Sequence, residues 1–142
     1  YRIVLFVEWP AASLPAATSF QICLQGSDPA WIAAFETLQD KKVQGRALAP
    51  LRRVARGDDL RGCQVLFVPE REHRKPVAAL PGLLTIGEAE AFAEAGGVAG
   101  FVRQGAQLRF DINRDAAAQA QLRLSAELLK VARTVLDNGG AR

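Results

Sequence analysis

Short, mostly apolar runs alternate along this chain with stretches whose apolar residues recur every three or four positions. Ser19–Leu24 and Cys63–Val68 are runs of strand length, the pattern of buried strands in an α/β sheet. After the first, Gly26-Ser27-Asp28-Pro29 opens a helix: Asp28 is a good N-cap and Pro29 suits the first helical position. The helix is predicted to reach about Asp40, with Trp31, Ala34, Phe35 and Leu38 on one face. Gly45 then bends the chain into a second strand, about Ala47–Val54, where Pro50 implies an edge strand or a bulge. Gly57-Asp58-Asp59 turns the chain, and Asp58-Asp59-Leu60 starts a short helical turn. Cys63–Val68, apolar almost throughout, is predicted to be a central parallel strand.

Leu83–Ile86 reads as another short strand, followed by a helix from Gly87-Glu88 through Ala95 that Gly96-Gly97 ends. Val98–Arg103 and Ala106–Ile112 flank Gln104-Gly105 and predict a β-hairpin. In its second arm Leu108, Phe110 and Ile112 share one face and Gln107, Arg109 and Asp111 the other. Asn113-Arg114-Asp115 caps an Ala-rich helix. Ser125 begins a last helix with a stripe of Leu128, Leu129, Ala132, Val135 and Leu136, stopped by Asn138-Gly139-Gly140. At the other end, Tyr1–Val7 is either a strand or the last turns of a helix; Trp9-Pro10 stops it and Ala11–Thr18 is a loop. The expectation is one α/β domain over residues 1–142. Its sheet is mixed and mostly parallel, flanked by helices, with a C-terminal hairpin and a final helix.

Composition narrows the function classes. With 49% hydrophobic residues in 142, the chain can build a real core, which argues against disorder. The net charge of +3 is spread along the chain, which does not favour nucleic-acid binding. The densest basic stretch, Arg52-Arg53-Val54-Ala55-Arg56, reads as a solvated strand edge or loop. No apolar run approaches the ~20 residues that cross a bilayer. The chain contains no Met. Its start codon therefore lies outside the sequence, which fits a removed secretory signal or a trimmed boundary.

Candidate chemistry is sparse. The chain's two cysteines, Cys23 and Cys63, each head an apolar run. If those strand heads lie side by side, a disulfide is feasible, since it needs Cα atoms within about 7 Å, and it would imply an oxidising compartment. Two buried free thiols acting as small hydrophobes are the plainer alternative. Gly26 stands without the G-x-G-x-x-G fingerprint, so capping explains the turn after the first strand without a phosphate site. Pro69–Pro76 is a charged run leaving the carboxyl end of a central strand, the ligand edge of an open α/β sheet. It holds the sole histidine, His73, which with Glu70 or Glu72 would supply a base and its orienter. A solvated helix start explains the run more simply. No nucleophile, metal-ligand set or glycine cradle accompanies it, so no cofactor or catalytic residue is assigned.

The ordered set of motifs resembles the YfiR-like family of bacterial periplasmic proteins. The matching pieces are Phe6-Val7-Glu8-Trp9-Pro10, Gln21–Gly26, Val43-Gln44-Gly45-Arg46, Gly62–Val68 and Leu83-Leu84-Thr85-Ile86. Phe92 with Ala95-Gly96-Gly97, Leu108–Asn113 and Ser125–Ala132 complete the set. The resemblance spans nearly the whole chain. It implies a small mixed α/β domain, exported to the periplasm and dimeric. Such a domain represses an inner-membrane diguanylate cyclase by binding its periplasmic domain, with an outer-membrane lipoprotein as antagonist. It places Cys23 and Cys63 where the family can hold a disulfide. The second cysteine pair of some members is absent, so redox control through that pair does not transfer. The resemblance also implies that Tyr1–Val7 ends a helix begun upstream. Trp9, Pro10 and Phe101 are candidate partner contacts, with core packing as the other role open to Trp9. The rival to repression is a sensory module reading a small molecule or redox state near Gly26-Ser27 and Glu70–His73.

Overall fold

The computed structural model describes residues 6–9, 19–43, 45–73, 77, 79–89 and 91–136. Pro10, the Ala11–Thr18 loop, most of the first apolar run, Arg74-Lys75-Pro76 and the Asn138-Gly139-Gly140 stop lie outside these residues. At the centre of the parallel group β5-β2-β6-β7, β2 (Ile22–Gln25) and β6 (Val65–Val68) are neighbours with every residue buried. Ile22 and Leu24 pack with Val65 and Phe67 on one face, while Cys23 packs with Leu66 and Val68 on the other. Burial of both faces explains why these strands read as continuous apolar runs rather than alternating ones. Parallel strands β5 (Arg52–Val54) and β7 (Leu84–Gly87) flank the central pair. Next to β7 comes the hairpin of β8 (Ala99–Gln104) and β9 (Gln107–Asn113), and β11 (Thr134–Leu136) closes the far edge. The order is β11-β9-β8-β7-β6-β2-β5, with β8–β9 the antiparallel pair. This is the mixed, mostly parallel α/β sheet that the sequence predicts.

Helix α1 (Pro29–Glu36) begins as expected, with the Asp28 carboxylate accepting from the Ala30 N–H at 2.9 Å. It docks through Trp31 and Phe35, whose rings lie 4.3 and 5.5 Å from that of Phe67. The helix ends at Glu36, short of Asp40, and the chain passes through turns into a small hairpin, β3 (Lys42–Val43) with β4 (Arg46–Ala47). The expected strand Ala47–Val54 is broken at Pro50. Leu48 makes an isolated bridge to Phe20, and β5 follows as the edge strand. A proline without an N–H is tolerated at an edge.

Four expectations are corrected. The segment after β7 is not a helix: Ala91–Gly96 forms successive turns. The fully buried ring of Phe92 is the reason, because it fills a slot between Gly87 and Gly97. A Cβ on either glycine would overlap the ring. The two-residue hairpin loop is Gly105-Ala106, one position later than expected, with Gln104 paired to Gln107. Gly105 has φ +63 at the first loop position, where a type II′ turn needs it. The final helix, α3 (Ala126–Val131), is short, and Thr134–Leu136 is a strand parallel to β9. Arg133 pulls the chain onto the sheet: its guanidinium donates to both Asp111 carboxylate oxygens at 2.9 and 2.7 Å. The polar face of the hairpin is thereby covered at Asp111. Lastly, Val7 lies in a strand, β1 (Val7–Glu8), antiparallel to β10 (Arg123–Leu124); Phe6 just before it is in a 3₁₀ helical turn, and the rest of the expected helix end, residues 1–5, lies outside the described residues. Helix α2 (Arg114–Gln119) precedes β10 and is capped by Asn113 as expected.

The Phe92 slot yields a test. Gly97→Ala adds one methyl where a buried ring already sits, and overpacking of this kind costs about 1–3 kcal/mol. Urea unfolding should show that loss, whereas Gly57→Ala, in open space though strained by φ +92, creates no such overlap.

Candidate functional site

Strand β2 stands at a switch in the winding of the sheet. From β2 the chain goes through α1 to β5 on one side, then crosses to β6 on the other. The crossover is residues 55–64, ten residues without a helix. Parallel strands ordinarily need a dozen or more connecting residues, mostly a helix that packs on the sheet. Here covalent and charged contacts hold the connection. Cys63 is disulfide-bonded to Cys23, with their Cα atoms 5.9 Å apart. Arg52, the β5 neighbour of Cys23 in register, donates to the Asp59 carbonyl at 2.7 Å and the Arg61 carbonyl at 3.2 Å. Its Nη1 also lies 3.7 Å from the Cys63 Sγ. Cys63 is therefore not a strand head beside Cys23: β6 begins at Val65, and Leu66 is the residue in register with Cys23. The bond ties the crossover to one face of β2.

The crossover carries its own exposed ion pair, Asp59 to Arg61 at 2.8 Å. Hydrogen bonds from the Arg61 side chain, then from its backbone N–H, hold the Asp59 carboxyl well below its ordinary value of 3.8, at about 2. A depressed folded-state pKa contributes stability above the ordinary value and loses it as pH falls toward 2. The pair is solvent-exposed, so the contribution is small.

The carboxyl ends of β5, β2 and β6 open onto a cavity of about 230 Å³. Gln25 ends β2, Ala55 follows β5 and Val68 ends β6; all three line it, with Leu60 of the crossover and Phe92. The charged run after β6 forms one wall. Glu70–Glu72 is a single 3₁₀ turn, and the Glu72 carbonyl accepts from the Gln25 side-chain amide at 3.1 Å. The Glu72 carboxylate lies over Gly26, where an added Cβ would come within 2.9 Å of it. Gly26 is favoured by its backbone, whose φ of +92 lies in the left-handed region; the Glu72 side chain is flexible enough to move aside from an added Cβ. The His73 ring lies 5.8 Å from that of Phe92 and lines the same cavity.

Sequence reasoning brings some of this together and misses the rest. Glu72 and His73 share the cavity, Gly26 and Ser27 line an adjoining cleft, and Glu70 lines neither. Gln25, Arg56 and Phe92 were not singled out for a site; the positions of Gln25 and Arg56 just after predicted strands were the available signal. Among the contact candidates, Trp9 is only 9% exposed: its indole N–H donates to the Gln64 carbonyl and its ring meets Phe20 edge-on. Packing in the core therefore takes precedence over a surface role for Trp9. Phe101 is half-buried on β8, paired in register with Phe110, and Pro10 lies outside the described residues. Among the described residues no group of three or more His, Cys, Asp or Glu is placed to hold a metal ion, and no helix is long and apolar enough to cross a membrane.

If the disulfide holds the crossover, removing it should be costly. The chain-entropy model gives about 4 kcal/mol for a loop of this length. The Cys23→Ser, Cys63→Ser double variant should lose most of that in urea unfolding. It should also expose the Asp59–Gly62 amides to exchange before those of β7.

No curated protein matches the chain. The family model described as YfiR/HmsC-like matches residues 1–133, and by that match the chain belongs to the YfiR/HmsC-like family.

Proposed function

We propose that this domain is a non-enzymatic periplasmic regulator that binds an inner-membrane diguanylate cyclase and holds it inactive. It thereby lowers cyclic-di-GMP output and biofilm formation. The observation that carries this reading is the family match over residues 1–133, in a family known for periplasmic regulators of diguanylate cyclases. The disulfide fits the oxidising compartment this requires. The working unit is a single exported domain, residues 1–142, that pairs as a homodimer, with an outer-membrane lipoprotein as its antagonist. Repression of this kind is a population shift: the regulator acts by binding the inactive conformer of the cyclase more tightly than the active one. Moving an equilibrium from mostly active to mostly inactive takes a differential affinity of up to about 10⁴-fold. That calls for a complementary surface, not a reaction centre. We assign the contact to the half-buried Phe101 and to Pro10, since Trp9 is committed to the core.

Binding to the periplasmic domain of the cyclase encoded beside this gene tests the proposal. A Kd of about 10 µM or tighter is expected, with Phe101→Ala weakening it at least tenfold in a variant whose folding is checked by urea unfolding. Absence of binding at tens of micromolar contradicts the proposal.

A further inference from the structure

We propose that the cavity at the carboxyl ends of β2, β5 and β6 binds a small uncharged alcohol with an apolar body, its hydroxyl donating to the side-chain carbonyl of Gln25. In an open α/β sheet the crevice between strands whose connections run to opposite sides is left uncovered, and ligands bind there. Strand β2 is flanked by β5 and β6 at such a switch, and the cavity is lined from the ends of all three. Gln25, the last residue of β2, supplies the selecting group.

Gln25 is only 8% exposed, and strand alternation puts its side chain on the same face of β2 as Cys23. Its Nε2 donates to the Glu72 carbonyl at 3.1 Å, which fixes the orientation of the amide. The other end of the amide is the Oε1 acceptor, and no described residue donates to it. This oxygen is not sealed in the core: it reaches open space, and the space that Gln25 lines is the cavity. An acceptor so placed on a nine-tenths-buried side chain calls for an O–H or N–H donor. The other walls are apolar: Leu60, Val68, Val77 and Phe92 pack in the cluster that holds the Cys23–Cys63 bond. The charged groups at the rim select no charged ligand. Arg56 already has a partner within the chain, and the Glu72 carboxylate lies over Gly26. An ionised ligand gives up its hydration against the apolar walls, whereas a neutral hydroxyl gives up less and regains a hydrogen bond at Gln25. At about 230 Å³ the cavity lies below the ~300 Å³ at which sites for drug-sized ligands begin, so it suits a compact molecule of about ten non-hydrogen atoms. The hydroxyl is thus placed at Gln25 and the apolar body against Leu60, Val68 and Phe92.

Strand β7 separates this site from Phe101 on β8, and its test is independent of cyclase binding. The ¹⁵N-labelled full chain is titrated separately with 1-phenylethanol, acetophenone and 1-phenylethylamine, which share one skeleton. The first donates from a hydroxyl, the second only accepts, and the third is a cation. 1-Phenylethanol should give saturable shifts at the amides of Leu60, Val68 and Phe92 and at the side-chain amide of Gln25, with a Kd of about 1 mM. Acetophenone, which cannot donate, and the amine, which must shed the hydration of its charge, should each bind at least about fivefold more weakly. Gln25→Met removes the carbonyl and should bind 1-phenylethanol no more tightly than acetophenone. No saturable shift up to about 20 mM would overturn the proposal. So would shifts mapping elsewhere, acetophenone or the amine binding as tightly as the alcohol, or Gln25→Met still preferring the alcohol. The comparison of ligands on the wild-type chain decides it even if Gln25→Met does not fold.

Discussion

The Cys23–Cys63 bond makes an unusual connection possible. A parallel strand pair cannot be joined by a tight turn, and the chain must travel the length of the sheet to re-enter in the same direction. Between β5 and β6 it does so in ten residues with no helix to pack on the sheet. A bare loop of that kind has few apolar contacts to offset the entropy of ordering it. The disulfide supplies the anchor, and Arg52 reinforces it from the neighbouring strand with donations to the Asp59 and Arg61 carbonyls. About 4 kcal/mol from such a crosslink is a large share of the 5–15 kcal/mol that keeps a typical domain folded.

Much of the rest follows from that anchored crossover. Because it hugs one face of β2, that face is closed by a compact cluster of Cys23, Cys63, Leu66, Val68, Leu83 and Phe92. The opposite face carries the larger core, built on Phe67, Trp31 and Phe35 where α1 docks. Phe92 enters the smaller cluster only because Gly87 and Gly97 leave it a slot. The cavity at the strand ends is what remains between the crossover, the charged run after β6 and the Phe92 turn. Stability and the candidate binding surface thus share the same residues.

The sheet was legible in the sequence wherever a strand is buried on both faces. Such strands are short apolar runs: the expected bounds of β6 and β7 agree to within two residues, and β2 starts three residues later than expected. The cap at Asp28 and the edge character signalled by Pro50 were legible for the same local reason. What escaped was decided by distant contacts. Thr134–Leu136 fits a helical stripe as well as a strand, and the long-range Arg133–Asp111 pair decides between them. The turns around Phe92 depend on two glycines separated from each other by a whole turn segment. The cavity was legible only as a charged run at a strand end; its apolar wall comes from residues far apart in sequence.

The disulfide also bears on where the protein works. Both cysteines are buried, and a buried structural bond between core elements resists the glutathione pool. It serves the domain as a brace rather than as a switch, in keeping with an oxidising compartment and with a family of periplasmic regulators. The most direct measurement of this account is a thiol titration of the unfolded, unreduced protein purified from an exported pool. No free thiol is expected before reduction and two after it. Two free thiols before reduction would contradict it and take the oxidising-compartment argument with them.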